Sequence, residues 1–531
     1  MSAKVQTLIG MGAYLLVMIA IGLWYARRSN SSPEEYFLGK RGLGPWVAAM
    51  SAEASDMSGW LLMGLPGVAY FTGIGEAFWT ALGLFIGTWV NWAIVAKRLR
   101  TYSQIAGNAI TLPDFFSKRF HDKRRILTAI AALIIIVFFS IYASSQFVAF
   151  GKLFGYVFDA EDYFIAMVIL GAVLVTLYTL LGGFLAESTT DLIQGFLMIG
   201  ALLLVLVFGV VHAGGVGAIT ENLTKFSRFL DIFGIATPDT VDDIQKVANG
   251  VPLFGPGKNY GFLAIVSTMA WGLGYFGMPQ VLLRFMAVNK TSNIRKSRNI
   301  AVIWCFLSMF AAIVIGLIGR AWLPGLLTSA GSSETIFIHL STRFFPPLIA
   351  GIVVSGILAA SMSSSDSYML IASSAVSNDI VKGIIKKDAD EALVMWIARI
   401  AMLAVMVFGV ILALSGNESI FRIVSYAWAG FGAAFGPLIL FSLFWKRTTF
   451  PAAVAGMVSG GAMVIIWKQV IAPMGKKLVE QGTEIGEVLT IYELLPAFII
   501  SCLVILVVSL ATQKPSAEIE KQFEAAKVTE F

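Results

Sequence analysis

An acidic residue, Asp56, lies near the middle of a membrane-length apolar segment at residues 50–70. Small, hydroxyl-bearing and helix-breaking residues surround it, namely Ser51, Ser55, Ser58, Gly59, Gly64, Pro66 and Gly67. A carboxylate inside hydrocarbon is costly, and it is tolerated mainly where it faces a protein interior or a watery path. The surrounding residue types indicate a helix broken at membrane depth, which persists only when it is buried in protein or lines a cavity. The segment therefore predicts an ion and substrate site.

A hydroxyl-rich stretch interrupts a second apolar segment at residues 357–368. On a helix, Ala360, Ser363 and Ser364 share one face, because they are spaced by three and four residues. Their oxygens, with free carbonyls from an unwound stretch at 54–57, would form an oxygen cage. Such neutral oxygens suit a monovalent cation such as Na⁺, whereas Mg²⁺ and Ca²⁺ usually demand more carboxylates. Alternatively, both serines only bond back to the preceding turn of their own helix.

The composition places these segments in a membrane protein. Of the 531 residues, 57% are hydrophobic and 13% are charged, and the mean hydropathy is +0.81. Soluble domains carry roughly 25% charged residues. We therefore predict an all-α polytopic membrane protein with about thirteen transmembrane helices of roughly 17–25 residues. They are expected near 7–26, 43–70, 75–96, 126–151, 163–182, 187–212, 260–283, 300–322, 346–377, 393–415, 420–445, 449–471 and 489–512.

The distribution of basic residues predicts the orientation in the membrane. Alternate loops are rich in Lys and Arg, notably 97–125 and 284–298, and these are expected to be cytoplasmic. The loop at 213–259 carries several acidic residues and is expected outside the cell. An odd number of spans then places the N-terminus outside and the tail after 513 inside. The formal net charge of +6 requires no nucleic-acid partner, because the excess lies mostly in these cytoplasmic loops.

Several functional classes lack support in the sequence. Cys305 and Cys502 fall within predicted spans and are expected to be buried thiols without a disulfide. His121, His212 and His339 are too few and too scattered for a transition-metal site. No phosphate-binding loop for ATP is present, and the polar loops are too short for an appended enzyme domain. We expect no enzymatic activity, no cofactor and no obligatory protein partner.

Two interrupted segments, 43–70 and 260–283, each begin a series of five predicted spans. Interruptions at matching positions in two halves point to an inverted-repeat transporter with its site near the membrane midplane. The predicted units are a first helix and loop (1–42), a first five-helix repeat (43–212), an extracellular loop (213–259), a second five-helix repeat (260–447), two C-terminal helices (448–512) and a cytoplasmic tail (513–531).

Long sequence blocks then carry a family resemblance. They are SAEASDMSGWLLMGLPG (51–67), TLPDFFSKRF (111–120), FFSIYASS (138–145), LGGFLAESTTD (181–191), WGLGYFGMPQVLLRFMA (271–287), ILAASMSS (357–364) and SYAWAGFGAAFGP (425–437). In these blocks the chain resembles the sodium/solute symporter family, and within it the members that carry proline. The resemblance implies a LeuT-like core with one extra helix before it and two after it. It also implies that one Na⁺ moves with one L-proline across the cell membrane.

The resemblance also assigns residues to an ion site. It places Na⁺ at the carbonyls of Ala54, Met57 and Ala360 and at the hydroxyls of Ser363 and Ser364. Asp56 matches the acid that relatives need for sodium coupling, although it could instead be a structural acid that caps a half-helix. Asp191 lies near a cytoplasmic end, where relatives that couple two ions place an additional sodium site.

The substrate site is implied in the same way. Ser58, Gly59, Tyr142, Trp271, Tyr275 and Pro279 match positions that line the proline pocket in relatives. Aromatic faces can pack against the pyrrolidine ring and stabilise its secondary ammonium, and the N-terminus of a half-helix can receive the carboxylate. The plainer alternative is that the aromatic residues only pack the core.

Three acids depart from the family pattern, and they are Glu53, Glu187 and Asp366. They are expected to be partners of buried basic groups, to be neutral, or to change the coupling ion or the substrate. A sodium-coupled symporter of another amino acid or of a small organic acid is therefore the main alternative. A membrane sensor that binds without transport is a second one, although it would normally need an output domain.

Overall fold

Long helices make up most of the chain, as the recurrent apolar runs predicted. The computed structural model describes residues 2–26, 33–181, 183–415, 419–529 and 531. The helices up to the large loop are α1 (Ala3–Ala26), α2 (Pro33–Leu38), α3 (Pro45–Gly59), α4 (Leu65–Thr72), α5 (Ile74–Val90), α6 (Ala96–Ile105), α7 (Leu112–Arg119), α8 (Ile126–Phe158), α9 (Phe164–Leu181), α10 (Phe184–His212) and α11 (Gly215–Thr224).

The helices after that loop follow in chain order. They are α12 (Phe262–Met269), α13 (Trp271–Gly274), α14 (Pro279–Ala287), α15 (Ile294–Trp322), α16 (Ala330–Ser333), α17 (Ile336–Phe344), α18 (Pro347–Ser374), α19 (Glu391–Ser415), α20 (Ile420–Phe444), α21 (Phe450–Ile466), α22 (Ala472–Glu480), α23 (Glu484–Leu489), α24 (Leu494–Ala511) and α25 (Ala517–Val528). Short π-helical turns join several of them, at Trp60–Gly64, Asn91–Val95, Ala375–Ile385 and Trp467–Ile471.

Eleven described helical stretches are long and apolar enough to cross a membrane, and twelve are when the bent pair Phe262–Gly274 and Pro279–Ala287 counts as one span. The further predicted span, 43–70, forms α3 and α4 and is not among them. It does not need an apolar surface, because nearly all its residues from Ala48 to Gly67 are buried by other helices. Its neighbours include α10, α15 and α18. The most polar predicted span is therefore the one most enclosed by protein.

The large loop at 213–259 contains structure that the sequence did not predict. After α11, six two-residue strands form three antiparallel pairs, and they are β1 (Gly234–Ile235), β2 (Thr240–Val241), β3 (Ile244–Gln245), β4 (Val247–Ala248), β5 (Val251–Pro252) and β6 (Lys258–Asn259). The pairs are β1 with β6, β2 with β3 and β4 with β5. The all-α prediction thus holds for the membrane part, and the loop adds a small cap of hairpins. In the tail, α25 packs against α6.

The two ends of the chain lie on opposite faces of the helical bundle. Lys4 forms an ion pair with Asp159, which follows the C-terminal end of α8. The carbonyl of Phe531 accepts a hydrogen bond of 2.8 Å from the amide of Thr291, just before α15 begins. Lys152, near the C-terminal end of α8, donates to the carbonyl oxygen of Gly331 in α16. Because α16 follows α15 along the chain, α8 and α15 both end on the face that holds Lys4. An odd number of membrane crossings requires this arrangement.

A glycine allows the turn from α4 to α5. Gly73 has a φ of +89°, and a Cβ placed there would lie 2.5 Å from the carbonyl oxygen of Phe229. Only glycine adopts such a conformation without a steric penalty, and here the large loop also passes too close for any side chain. The loop therefore lies directly against the C-terminal end of α4.

Candidate functional site

The helix that carries Asp56 is broken two residues after it. Ser58 has φ +52° and ψ −174°, whereas the residues on either side continue as helix. For a residue other than glycine this conformation costs roughly 1–3 kcal/mol. The buried backbone groups beside the break must still be hydrogen-bonded. The break predicted from the Ser-Asp-Met-Ser-Gly sequence is thus confirmed.

Two hydroxyl groups of α18 reach the carbonyl of Ala54, four residues before the break. Ser363 Oγ donates to the carbonyl oxygen of Ala54 at 2.9 Å, and Ser364 Oγ lies 3.4 Å from the same oxygen. Ser363 Oγ also lies 3.1 Å from the carbonyl oxygen of Ala360. All of these residues are buried. The structure therefore brings together four of the five oxygens predicted to bind sodium.

The fifth predicted oxygen is engaged along its own chain. The carbonyl of Met57 accepts the backbone N–H of Trp60, which follows the break. The carbonyls of Ser55 and Asp56, which follow that of Ala54, also have hydroxyl partners. Tyr368 Oη lies 3.3 Å from the Ser55 oxygen, and Tyr142 Oη lies 3.2 Å from the Asp56 oxygen. Side-chain hydroxyls from α8 and α18 thus contact three consecutive carbonyls just before the break.

The second half of the broken helix begins with its amides already bonded. The backbone N–H of Gly59 donates to Gln146 Oε1 of α8 at 2.9 Å, and that of Trp60 donates to Ser58 Oγ at 3.2 Å. A Cβ on Gly59 would lie 2.8 Å from Ser361 Oγ, so α18 packs tightly behind the break. The half-helix N-terminus predicted to receive a carboxylate is therefore held by α8 and by its own serine.

Asp56 is a buried acid without a basic partner. Its relative exposure is 3%, and within the described residues no Lys, Arg or His nitrogen lies within 4.0 Å of its carboxylate. The amide nitrogen of Gln280 lies 3.5 Å from one carboxylate oxygen. A buried charge without a counter-ion costs several kcal/mol. A mobile cation that binds beside the break would provide the missing positive charge.

Asp191, by contrast, lies against a fixed cation. Arg284 on α14 is fully buried, and its guanidinium lies 3.3 Å from Asp191 Oδ2 and forms an ion pair with Glu187. Ser51 Oγ donates to Asp191 at 2.6 Å and accepts from Arg284 Nε at 2.9 Å. Ser367 of α18 contacts both Arg284 and Glu187. One of the expected roles for Glu187, as the partner of a buried basic group, is therefore the role that the structure gives it.

Asp366 and Glu53 are also buried, at 1% and 2% exposure. One carboxylate oxygen of Asp366 accepts the backbone N–H of Ser367 at 2.8 Å. Within the described residues, neither acid has a Lys, Arg or His nitrogen within 4.0 Å. The ion-pair role expected for Glu187 therefore does not extend to these two acids.

A large cavity lies beside the second half of the broken segment, on the face that carries the hairpin loop. Its volume is about 1010 Å³, and its lining includes Gly64 and Gly67 of the broken segment. Trp271, Phe421 and Tyr492 also line it. The Trp271 ring lies 5.6 Å from the Trp60 ring and 5.3 Å from the Phe421 ring. Aromatic rings thus surround the part of the cavity nearest to the broken helix.

The predicted substrate residues do not form a single wall. Trp271 lines the large cavity, and Tyr142 stacks on Tyr368 at 4.3 Å beside the break. Tyr275 is 1% exposed and meets the Trp428 ring edge-on at 5.0 Å. Pro279 begins α14 after a bend of 42° and lines a separate cavity of about 20 Å³. Trp271, Tyr275 and Pro279 thus lie at the second helix break, between α13 and α14, whereas Tyr142 lies beside the first.

Several residues of the site were missed by the sequence-based assignment. Gln146 directly follows the block FFSIYASS, and its position on α8 one turn after Tyr142 could have indicated it. Gln280 and Arg284 lie inside another quoted block, four residues apart on α14. Tyr492 gave no signal, because it belongs to a segment outside the two predicted halves. Its contact with Trp271 depends on tertiary packing alone.

Comparisons with known proteins agree with this architecture. Residues 36–460 match the family model described as the sodium:solute symporter family. The chain is 40% identical over 530 residues to the sodium/proline symporter of Salmonella typhimurium, which covers 99% of this chain and 97% of the relative. It is 38% identical over 521 residues to the sodium/proline symporter of Staphylococcus aureus, and this match covers 98% of the chain and 95% of the relative.

A solved structure gives independent support for the fold. The chain resembles a Na⁺-coupled sialic acid symporter in a substrate-bound, outward-open state, with a TM-score of 0.73. The two share 15% sequence identity, and the similarity covers 96% of this chain and 99% of the other. At this level of identity the likeness concerns the fold, and it confirms the predicted LeuT-like arrangement.

Proposed function

The chain belongs to the sodium:solute symporter family, and we propose that it couples inward Na⁺ flow to the uptake of L-proline across the cell membrane. The single observation that carries this proposal is the position of Asp56. It is a buried carboxylate without a basic partner, two residues from a cluster of neutral oxygens. Both relatives described above are sodium/proline symporters that the chain matches over nearly their full lengths, which supports proline as the substrate.

Sodium is proposed to bind between α3 and α18. The carbonyls of Ala54 and Ala360 and the hydroxyls of Ser363 and Ser364 supply neutral oxygens, with the Met57 carbonyl as a fifth ligand. Each serine hydroxyl has one hydrogen and two lone pairs. When the ion binds, the hydrogen turns away from the carbonyl so that both oxygens face the cation. Asp56 contributes negative charge from nearby without being a ligand.

Ion binding in this position would fix the relation between two helices. Hydrogen bonds link Ser363 and Ser364 of α18 to the Ala54 carbonyl of α3. A shared cation replaces them with stronger charge–dipole contacts. We propose that sodium thereby favours the state in which the large cavity is open, and that proline binds next. The second helix break, between α13 and α14, then closes over the substrate as the bundle rocks inward.

Proline is proposed to enter through the large cavity and to bind beside the two breaks. Trp271 and Tyr142 offer aromatic faces to the pyrrolidine ring and its ammonium, and Ser58 and Gly59 lie at the start of a half-helix. Gln146 accepts the Gly59 N–H and thereby holds the start of this half-helix in place, and the carboxylate would bind beside it. Tyr275 and Pro279 lie at the two sides of the second break, after α13 and at the start of α14. The sequence-assigned pocket is thus retained as a proposal, with Gln146 added to it.

One sodium ion per cycle is sufficient for this scheme. Asp191, the candidate for an additional ion site, already has the guanidinium of Arg284 beside it. That fixed charge takes the place that a second mobile cation would need. We therefore propose a structural role for Arg284 with Glu187 and Asp191, in which they fix α14 against α10 and α3.

The orientation follows from the same scheme. The face with the large cavity and the hairpin loop is proposed to be extracellular, and the face with α25 is proposed to be cytoplasmic. The five helical spans from α3 to α10 and the five from α12 to α20 are proposed to be the two inverted repeats, with α1 before them and α21 and α24 after them. Moving one positive charge inward through ~100 mV then supplies ~2.3 kcal/mol.

A binding measurement tests this function without reconstitution. Purified protein is titrated with labelled L-proline at several Na⁺ concentrations, with K⁺ as the matched control salt. Linkage requires that sodium raise proline affinity and that proline raise sodium affinity by the same factor. Proline affinity that is equal in Na⁺ and K⁺ would contradict the coupling. Competition by other amino acids and by organic acids tests the alternative substrates in the same assay.

A further inference from the structure

A residue from outside the two five-helix halves lies against the proposed substrate pocket. Between α23 and α24, the chain passes over the inner surface of the large cavity, and Tyr492 lies in this connection. Its ring stacks on Trp271 with 5.5 Å between centroids and 25° between planes. Of the four rings near Trp271, namely Trp60, Phe421, Trp428 and Tyr492, this one is the closest to parallel.

Tyr492 is fixed in place by two helices of the second half. Its backbone N–H donates to Ser267 Oγ of α12 at 2.8 Å, and its hydroxyl donates to the carbonyl oxygen of Ser425 of α20 at 2.7 Å. The preceding carbonyl, of Ile491, accepts from the indole N–H of Trp467 at 3.1 Å. With the backbone and the hydroxyl both anchored, the ring has little freedom to leave the face of Trp271.

The anchored ring of Tyr492 limits the space beside Trp271. Ser267, Trp271, Ser425 and Tyr492 all line the same cavity of about 1010 Å³. A ligand that packs against the Trp271 ring can use only the faces and edges that other rings leave open. Since Tyr492 covers one face and is held rigidly, it sets the width of the space into which a substrate ring must fit.

We propose that Tyr492 is a specificity-determining residue of this transporter, which positions Trp271 and limits the size of the substrate ring. The inference rests on the proposed proline transport, and it extends that proposal to the C-terminal helix pair. In this view α21 and α24 are part of the substrate site, because the connection between them supplies a wall of it. A purely structural role, in which Tyr492 only attaches α24 to the core, is the competing explanation.

The test compares variants by substrate selectivity. Sodium-driven proline uptake is measured for the wild type, Tyr492→Phe and Tyr492→Ala, with cyclic imino acids of four-, five- and six-membered rings as competitors. For Tyr492→Ala we expect a rise of about tenfold in the KM for proline, little change in the maximal rate, and a relative gain for the six-membered ring. Tyr492→Phe keeps the ring stack, so its selectivity should stay close to that of the wild type.

A matched control comes from the same cavity. Tyr260 also lines it, but no ring contact joins Tyr260 to Trp271 within the described residues. Tyr260→Ala should therefore leave the ring-size preference unchanged. If Tyr492→Ala does not reach the membrane, Tyr492→Leu replaces it, because leucine fills part of the space without an aromatic face.

The outcomes separate the two proposals. A shifted ring-size preference with rescue by phenylalanine supports the inference. Unchanged selectivity in an active Tyr492→Ala or Tyr492→Leu variant, with only a lower maximal rate, overturns it and leaves proline transport intact. Absence of sodium-driven proline uptake in the wild type would contradict the proposed function itself, and the inference would fall with it.

Discussion

The hydroxyl of Ser363 lies 2.9 Å from the carbonyl oxygen of Ala54, although the two residues are 309 positions apart in the chain. This contact joins the broken helix α3 to the continuous helix α18 at the level of the break. The carbonyl can accept this hydroxyl because its oxygen has two lone pairs, so it can bond both within its own helix and across to α18. The strained residue Ser58 and this contact between helices therefore lie within one short stretch of α3.

We predict that replacing both Ser363 and Ser364 by Ala raises the Na⁺ concentration for half-maximal proline uptake by about tenfold or more. Two hydroxyl ligands are lost, and each hydrogen bond or dipole contact to a charged group is worth roughly 1.5–3 kcal/mol. Uptake at varied Na⁺ and constant ionic strength measures the effect. Ser365→Ala is the matched control, because Ser365 Oγ donates to Ser361 on its own helix at 2.7 Å. An unchanged sodium dependence in the double variant would exclude the proposed cage.

Asp56→Asn should lower sodium-driven uptake by at least about tenfold, which corresponds to ~1.4 kcal/mol of lost ion binding. The amide keeps the shape of the side chain and removes the negative charge that a buried site supplies to a cation. Uptake per molecule of inserted transporter is the measurement. Asp242→Asn, in the exposed hairpin loop, controls for the loss of one acidic residue. Normal uptake by Asp56→Asn would remove this acid from the coupling.

Gln146→Leu should weaken both sodium and proline binding, because it leaves the Gly59 N–H buried without a partner. Such a group costs roughly 1–3 kcal/mol, and the break can relieve this cost only by rearranging. Equilibrium binding of labelled proline at several Na⁺ concentrations measures the change. Ser144→Ala lies two residues away and removes only a 2.6 Å bond within α8, so it should bind like the wild type. Equal affinities for the two variants would show that Gln146 has no part in the site.

Arg284→Gln should destabilise the protein by about 3–5 kcal/mol, because breaking a buried ion pair leaves an uncompensated charge. The readout is the midpoint of thermal unfolding in detergent. The double variant Arg284→Gln with Glu187→Gln removes one of the two acids left behind, and it should recover part of the loss. If Asp191 instead held a mobile sodium ion in the native protein, added Na⁺ would raise the midpoint of the wild type, and part of that rise would be lost in Asp191→Asn.

The sequence indicated candidate site residues where a polar or acidic side chain lies within an apolar, membrane-length segment. Asp56 could be singled out as a candidate site residue because an acid within an apolar segment has few structural uses. The serines at 363 and 364 were assigned by their shared helical face and by the family resemblance, and the structure brings them to Ala54. These features depend on residue type and local spacing, which are visible in a single chain.

Other features depend on tertiary packing and were not visible. Arg284 lies 93 residues from Asp191 in the chain, so their contact could not be read from spacing. The hairpins of the large loop contain strands of two residues, which are too short for a periodic pattern. The stack of Tyr492 on Trp271 joins a terminal connection to the core. In each case the role of a residue depends on a partner that is distant in the chain or on pairing that has no local pattern, and the sequence does not identify either.

The most direct test of the account is transport driven by a sodium gradient alone. Purified protein is reconstituted into proteoliposomes that contain K⁺, and labelled L-proline is added outside with either Na⁺ or K⁺. We predict transient accumulation of proline above its external concentration only with inward Na⁺, increased by an inside-negative membrane potential because net positive charge enters. Accumulation that is equal in Na⁺ and K⁺, or none with protein that still binds proline in Na⁺, would contradict sodium-coupled uptake.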